Sequence, residues 1–240
     1  MDARLVAGRL AAVRERIGAA CGRAGRDQEA VRLVTVTKQV PLPLVLAAVR
    51  AGAVDLGENR VLEAMARQDE LARLLAGGGD VPVAPRWHFI GHLQRNKALR
   101  AAGRFALLHG VDSAELATIL ADRATADGRR EPVLLEVNVS GEPQKHGVRP
   151  EALPELLDAV AALPGIDLLG FMGMAAYGVA EADARRAFAG LRELAARERA
   201  RTGLPLPELS MGMSGDFEAA VLEGATIVRV GGAIFAAGEG

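Results

Sequence analysis

The stretch LSMGMSGDFEAAVLEGATIVRVGGAIF, residues 209–235, passes through two kinds of local structure and back again. An apolar run ending at Met211 gives way to a Gly/Ser turn. A helical run, Phe217–Leu222, follows, and past Gly224 a second apolar run, Ala225–Val230, ends in Gly231–Gly232. Strand, turn, helix, strand is the βα unit. Strands that are apolar almost throughout are buried on both faces, which is the condition of a parallel sheet covered by helices.

The same alternation extends outward to the N-terminus. A first helix over residues 2–20 carries Val6, Leu10, Val13 and Ile17 at helical spacing. Strands are predicted at Val31–Thr37, Ala53–Gly57, Arg86–Gly91, Phe105–Val111, Pro132–Val139, Ile166–Met172, Glu208–Met211 and Ala225–Val230. Helices between them are predicted at Leu42–Gly52, Arg60–Leu75, Gln94–Ala101, Ala114–Asp127, Glu151–Leu163, Glu181–Arg201 and Phe217–Leu222. Pro41, Gly52, Gly128, Pro150, Pro164 and Gly224 mark junctions. Gly77–Gly79 and the residues before Pro82 read as a loop inside the domain. Eight such units in 240 residues favour one closed (β/α)8 TIM barrel, residues 1–240 with the barrel over about 31–236. An open doubly wound sheet is the alternative.

Composition narrows the function classes. Net charge is −1, so no basic field argues for nucleic acid or an anionic membrane surface. One cysteine, Cys21, permits no internal disulfide and suits a cytoplasmic location. The opening residues are too charged for a signal peptide, and no apolar run approaches the roughly 20 residues of a membrane span. Of 29 basic residues only Lys38, Lys97 and Lys145 are lysine. Arginine is the default cation here, so a lysine stands out as a candidate for amine chemistry, although genome bias can produce the same skew.

In a barrel, chemistry collects at the C-terminal ends of the strands. Lys38 ends the first strand, where partial desolvation would expose a nucleophilic amine; a solvated strand-end cation is the equal alternative. Asn59 ends the second as a polar candidate, while Glu58 reads more readily as a helix-start carboxylate. On the third strand His88, Ile90 and His92 share one face. Two histidines four apart hint at a metal, but no third ligand of suitable spacing is near, so no metal site is expected and His92 reads as a lining residue or loop anchor. Glu136 and Asn138 share an inward face that needs polar neighbours. Lys145 reads as an exposed loop lysine, and Met172 and Met174 as core filling that can also pack beside a flat ring. Ser214 is placed as an N-cap before Phe217, with Gly215 allowing close approach to backbone N–H groups. Gly231–Gly232 follows the last strand, and the loops after strands 7 and 8 are where barrels frequently bind phosphate. Arg229, inside the last strand, needs a buried partner.

The segments VTVTKQVP, DLGENRV, WHFIGHLQRNK, VDS, LLEVNVSGEPQKHGV, GFMGMA and LSMGMSGDFEAAVLEGATIVRVGGAIFA, in order from residue 34 to 236, resemble the YggS/PROSC group, the pyridoxal phosphate homeostasis proteins. The resemblance implies a fold-type III barrel like the N-terminal domain of alanine racemase. It implies pyridoxal 5'-phosphate as cofactor, bound to Lys38 as a Schiff base. Asn59 and Met172 would lie near the ring, Arg229 at the ring nitrogen, and Ser214, Gly215, Gly231 and Gly232 at the phosphate. The chain departs from the group at Gly232, where threonine is usual. Losing that hydroxyl would weaken binding by about 0.5–1.5 kcal/mol.

The group implies a carrier that buffers and delivers the cofactor to apo-enzymes, without established turnover. The sequence agrees in having one tyrosine, Tyr177, and no room for the second domain from which alanine racemase takes its tyrosine base. A weak amino-acid racemase and a cofactor-free class I aldolase-like barrel are the alternatives. A monomer is expected, with no nucleic-acid or membrane partner.

Overall fold

The structure, a computed structural model, describes residues 2–77, 83–142 and 144–236. Eight parallel strands close into a barrel in sequence order: β1 Arg32–Val36, β2 Asp55–Glu58, β3 Arg86–Phe89, β4 Leu107–Val111, β5 Glu131–Glu136, β6 Ile166–Met172, β7 Glu208–Ser210 and β8 Ile227–Val230. β8 pairs with β1 to complete the ring, with Arg229 opposite Val34. The open sheet is therefore excluded. The helices are α1 Ala3–Arg23, α2 Leu42–Arg50, α3 Val61–Ala76, α4 Arg95–Ala101, α5 Ala114–Ala126, α6 Leu153–Ala161, α7 Glu181–Thr202, α8 Phe217–Leu222 and α9 Gly232–Phe235. Beyond Gly77, the loop expected before Pro82 lies outside the described residues.

Local chemistry explains most of the boundaries. Asp2 caps α1 by accepting from the Leu5 N–H at 2.8 Å, and Val6, Leu10, Val13 and Ile17 are its buried stripe. That stripe lies against α2, α8 and α9, so the extra N-terminal helix covers the seam where the barrel closes. Pro154, in the first turn of α6, fixes where that helix begins, two residues later than expected. β5 ends at Glu136, short of the expected Val139, because its next residues turn to meet the following loop: Val137 bridges to Val148.

Two cores result. The larger lies between strands and helices and includes Leu56, Phe89, Phe171 and Phe217. The smaller fills the barrel interior with Val34, Leu107, Leu134, Met172 and Ile227. His88 and Ile90 turn inward and Trp87 and Phe89 outward, the period-two alternation of a strand. Among the described residues, no helix is long and apolar enough to cross a membrane.

Candidate functional site

A cavity of about 620 Å³ opens at the C-terminal mouth of the barrel. Lys38, Asn59, Ser214, Gly215, Arg229, Gly231 and Gly232 all line it, so seven sequence-selected residues from the ends of β1, β2, β7 and β8 meet in one place. Met172 does not line it. It is 1 % exposed in the interior beneath, and Met174 stands on the cavity wall instead.

Lys38 is exposed at its strand end, not partly desolvated as the apolar run before it suggested. Asn59 is placed by a close approach of β2 and β3. A Cβ on Gly91 would lie 2.7 Å from the Asn59 carbonyl oxygen, so only glycine lets the two strand ends sit this close.

Arg229 is 3 % exposed, and burial pushes its pKa down to about 10, which still leaves it protonated at neutral pH. Nη1 donates to Ser210 Oγ at 2.5 Å and Nη2 to the Gly173 carbonyl at 3.2 Å. Two of its five side-chain N–H groups are thereby used, and the residue lines the cavity. Ser210 passes the contact on. Its Oγ lies 2.8 Å from His109 Nδ1, His109 Nε2 lies 3.0 Å from His88 Nδ1, and His88 Nε2 lies 2.9 Å from Asp55 Oδ1. Asp55 takes two further bonds from Arg86 at 2.9 Å each.

One assignment satisfies the whole chain. Ser210 donates to His109, His109 Nε2–H to His88, and His88 Nε2–H to Asp55, with both imidazoles neutral. Burial above all, with the positive charges of Arg229 and Arg32 adding to it, holds His109 well below the usual histidine range, which agrees with a neutral ring. For Asp55, burial opposes ionisation, but hydrogen bonds from His88 and Arg86 outweigh it and keep the carboxyl below its ordinary value. A polar chain thus runs through the barrel from Arg86 at one end to Arg229 at the other. It holds the Arg229 guanidinium in one orientation at the cavity floor.

The wall opposite is built from β7, β8 and their loops. Ser214 is not the N-cap of α8, as its position in sequence suggested; Asp216 occupies that position. The Ser214 hydroxyl accepts instead from the Gly231 and Ala233 N–H groups, at 3.3 and 3.2 Å, across the two loops. A Cβ on Gly215 would meet nothing within 4 Å, and one on Gly232 only Ser214 at 3.5 Å. Backbone amides at an open concave wall make an anion cradle.

Other expectations are corrected. Glu58 is a buried strand residue, not a helix-start carboxylate; it accepts from Thr37 Oγ1 at 2.6 Å and pairs with Arg67 at 3.0 Å. Asn138 does not face the barrel interior. Its Nδ2 donates to the Glu142 carbonyl at 2.9 Å and ties down its own loop. Lys145 is tethered, not free: it pairs with Glu142 and donates to the Ala175 carbonyl at 3.1 Å. Glu136 does point inward, but its Oε2 has no partner. Burial, then repulsion from Asp112, raises its pKa to about 7. Sequence reasoning missed Asp55, His109 and Ser210. Each is a polar residue in or beside an apolar strand, the signal that singled out Arg229.

Residues 9–238 match the family model described as "Alanine racemase, N-terminal domain". A pyridoxal phosphate homeostasis protein of Aquifex aeolicus is 41 % identical over 227 residues, covering 95 % of this chain and 96 % of that protein. The structure of PipY, the COG0325 family member of Synechococcus elongatus, with PLP bound, is 36 % identical with a TM-score of 0.82, covering 96 % of this chain and 99 % of that one. Alanine racemase from Corynebacterium glutamicum, 18 % identical with a TM-score of 0.71 over 100 % of this chain and 63 % of its own, shares the fold.

Proposed function

Because the chain belongs to the pyridoxal phosphate homeostasis proteins, within the alanine racemase N-terminal domain family, we propose that it holds pyridoxal 5'-phosphate in the mouth cavity and releases it to apo-enzymes. Lys38 is the amine that would hold the cofactor through its aldehyde as a Schiff base. We assign this role to a monomer working in the cytoplasm.

One observation carries the reading. An amine, a buried guanidinium and an open backbone cradle face one cavity, and pyridoxal phosphate has three handles: an aldehyde, a ring nitrogen and a phosphate. The volume is within the range of small-molecule sites. The bound cofactor supplies an electrophilic aldehyde and an electron-withdrawing ring. Arg229 would donate to the ring nitrogen and, because it keeps its own proton, would leave that nitrogen unprotonated. The ring is then a weaker electron sink, which suits holding more than carbanion chemistry. The Ser214 hydroxyl and the N–H groups of Gly215 and Gly232 would take the phosphate, with Gly231 holding Ser214 in place through its own N–H. Asn59 would lie beside the ring, and Met174 on the cavity wall, not the buried Met172, is the methionine placed to pack on it.

Tyr177, the only tyrosine, is 97 % exposed at the cavity rim. Among the described residues nothing packs on it to fix its hydroxyl over a substrate, which favours delivery over racemisation. The test is the visible spectrum of the protein loaded with pyridoxal phosphate, beside Lys38→Ala. A yellow band that is largely absent from the variant is expected; equal bands would refute the role of Lys38. Rapid Cα exchange of L-amino acids in deuterated water would refute the carrier assignment.

A further inference from the structure

On the rim of the barrel, three side chains that do not line the Lys38 cavity converge from neighbouring strands. His92 follows β3, Asp112 follows β4 and His146 stands in the loop after β5. These strands are consecutive in the barrel, so residues far apart in sequence arrive together. Each offers one ligand atom, and these atoms all lie within 4.8 Å of one another. His92 Nδ1 is already 3.3 Å from Asp112 Oδ2. The His92 and His146 rings stack with centroids 3.8 Å apart and planes 8° from parallel.

Arg95 and Glu115 line the cleft with one charge of each sign, so the negative balance there is that of Asp112. Among the described residues Asp112 pairs with no lysine or arginine. Its negative charge acts on buried Glu136, whose Oε2 is itself unpartnered. The chain has four histidines; His88 and His109 are committed to the interior chain, and the other two meet here. His92 and Asp112 keep 34 % and 19 % of their side-chain surface exposed, so an ion has a path in.

We propose that His92, Asp112 and His146 bind a first-row divalent cation of the zinc class. Two imidazoles and one carboxylate are a zinc-type donor set. The fourth position is left to water or to Glu115, which lines the same cleft. Parallel rings do not aim two lone pairs at one point, so the ion must open the stack. Zinc about 2.0–2.1 Å from each donor sets tetrahedral donors about 3.3 Å apart. His92 and Asp112 meet that spacing as they stand, and His146, exposed on its loop, turns to complete it.

Zinc added to tag-free protein, freed of metal by chelator and of cofactor, tests the site by equilibrium dialysis. One equivalent is expected, with perturbation of two of the four histidine ring signals in the proton spectrum. His146→Ala and Asp112→Asn should each weaken binding more than about tenfold, since even losing a group that only supports a metal ligand costs that much. Lys38→Ala should bind zinc as the parent does, which separates this result from the cofactor reading. The absence of saturable one-equivalent binding, or unchanged affinity in His146→Ala, an exposed loop position, would overturn the proposal.

Discussion

Replacing Glu136 with glutamine removes an ionisation that the barrel interior resists. The carboxyl is 2 % exposed, one oxygen has no hydrogen-bond partner, and its pKa rises from 4.5 to about 7, chiefly through burial. The folded state therefore holds this proton more tightly than the unfolded chain between those two values. Stability linked to Glu136 is fully present below pH 4.5 and is lost as pH rises through 7. Each pH unit in that window is worth about 1.4 kcal/mol. Between pH 5 and pH 8 the parent should lose about 2.5 kcal/mol that Glu136→Gln does not lose. Urea unfolding at a series of pH values, with chelator present and cofactor absent, measures the gap directly. Comparing the two proteins across pH cancels any fixed cost of the substitution itself. The gap should widen by about 2.5 kcal/mol in favour of the variant, equivalent to about 5–10 °C in Tm for a chain of this size. Parallel pH profiles, or a gap that narrows with rising pH, would show that Glu136 ionises freely and would refute the reasoning.

Ser210→Ala strips an acceptor from Arg229 and a donor from His109, both buried, and should cost about 1–3 kcal/mol of unfolding free energy while loosening cofactor binding; unchanged stability in denaturant would speak against the interior chain. Gly232→Thr restores a hydroxyl beside Ser214, where a Cβ meets only ordinary contacts. It should tighten pyridoxal phosphate binding about two- to tenfold in a spectrophotometric titration, and weaker binding would place the phosphate elsewhere. Gly91→Ala drives a methyl against the Asn59 carbonyl oxygen; it should destabilise the fold by about 1–3 kcal/mol and reduce cofactor affinity, whereas wild-type behaviour in both assays would remove Asn59 from the site.

Strand order was legible because each strand is an apolar run bounded by glycine, proline or a helical pattern, and Ile166–Met172 and Phe217–Leu222 match to the residue. Strand ends were less so. Val137 still donates to the Met172 carbonyl at 2.8 Å, but β5 ends at Glu136 and Val139 lies beyond it, and side-chain type does not record where backbone pairing stops. Lys38, Arg229 and Ser214 stood out because each interrupts or ends an apolar run. Met172 and Met174 share a face two residues apart, and which of them reaches the cavity depends on depth in the barrel, which spacing alone does not encode. The chain from Asp55 through His88, His109 and Ser210 to Arg229 joins five strands. The His92, Asp112 and His146 group joins three strand ends. Both are products of closure, and closure is a property of the whole barrel.

With only three lysines in the chain, the central claim reduces to a choice among three side-chain amines. Borohydride reduction of the protein loaded with pyridoxal phosphate makes a Schiff base permanent, and peptide mass spectrometry then locates it. A single phosphopyridoxyl group on Lys38 is the expected result. The same group on Lys97 or Lys145, or no adduct on a protein that has retained the cofactor, would contradict it.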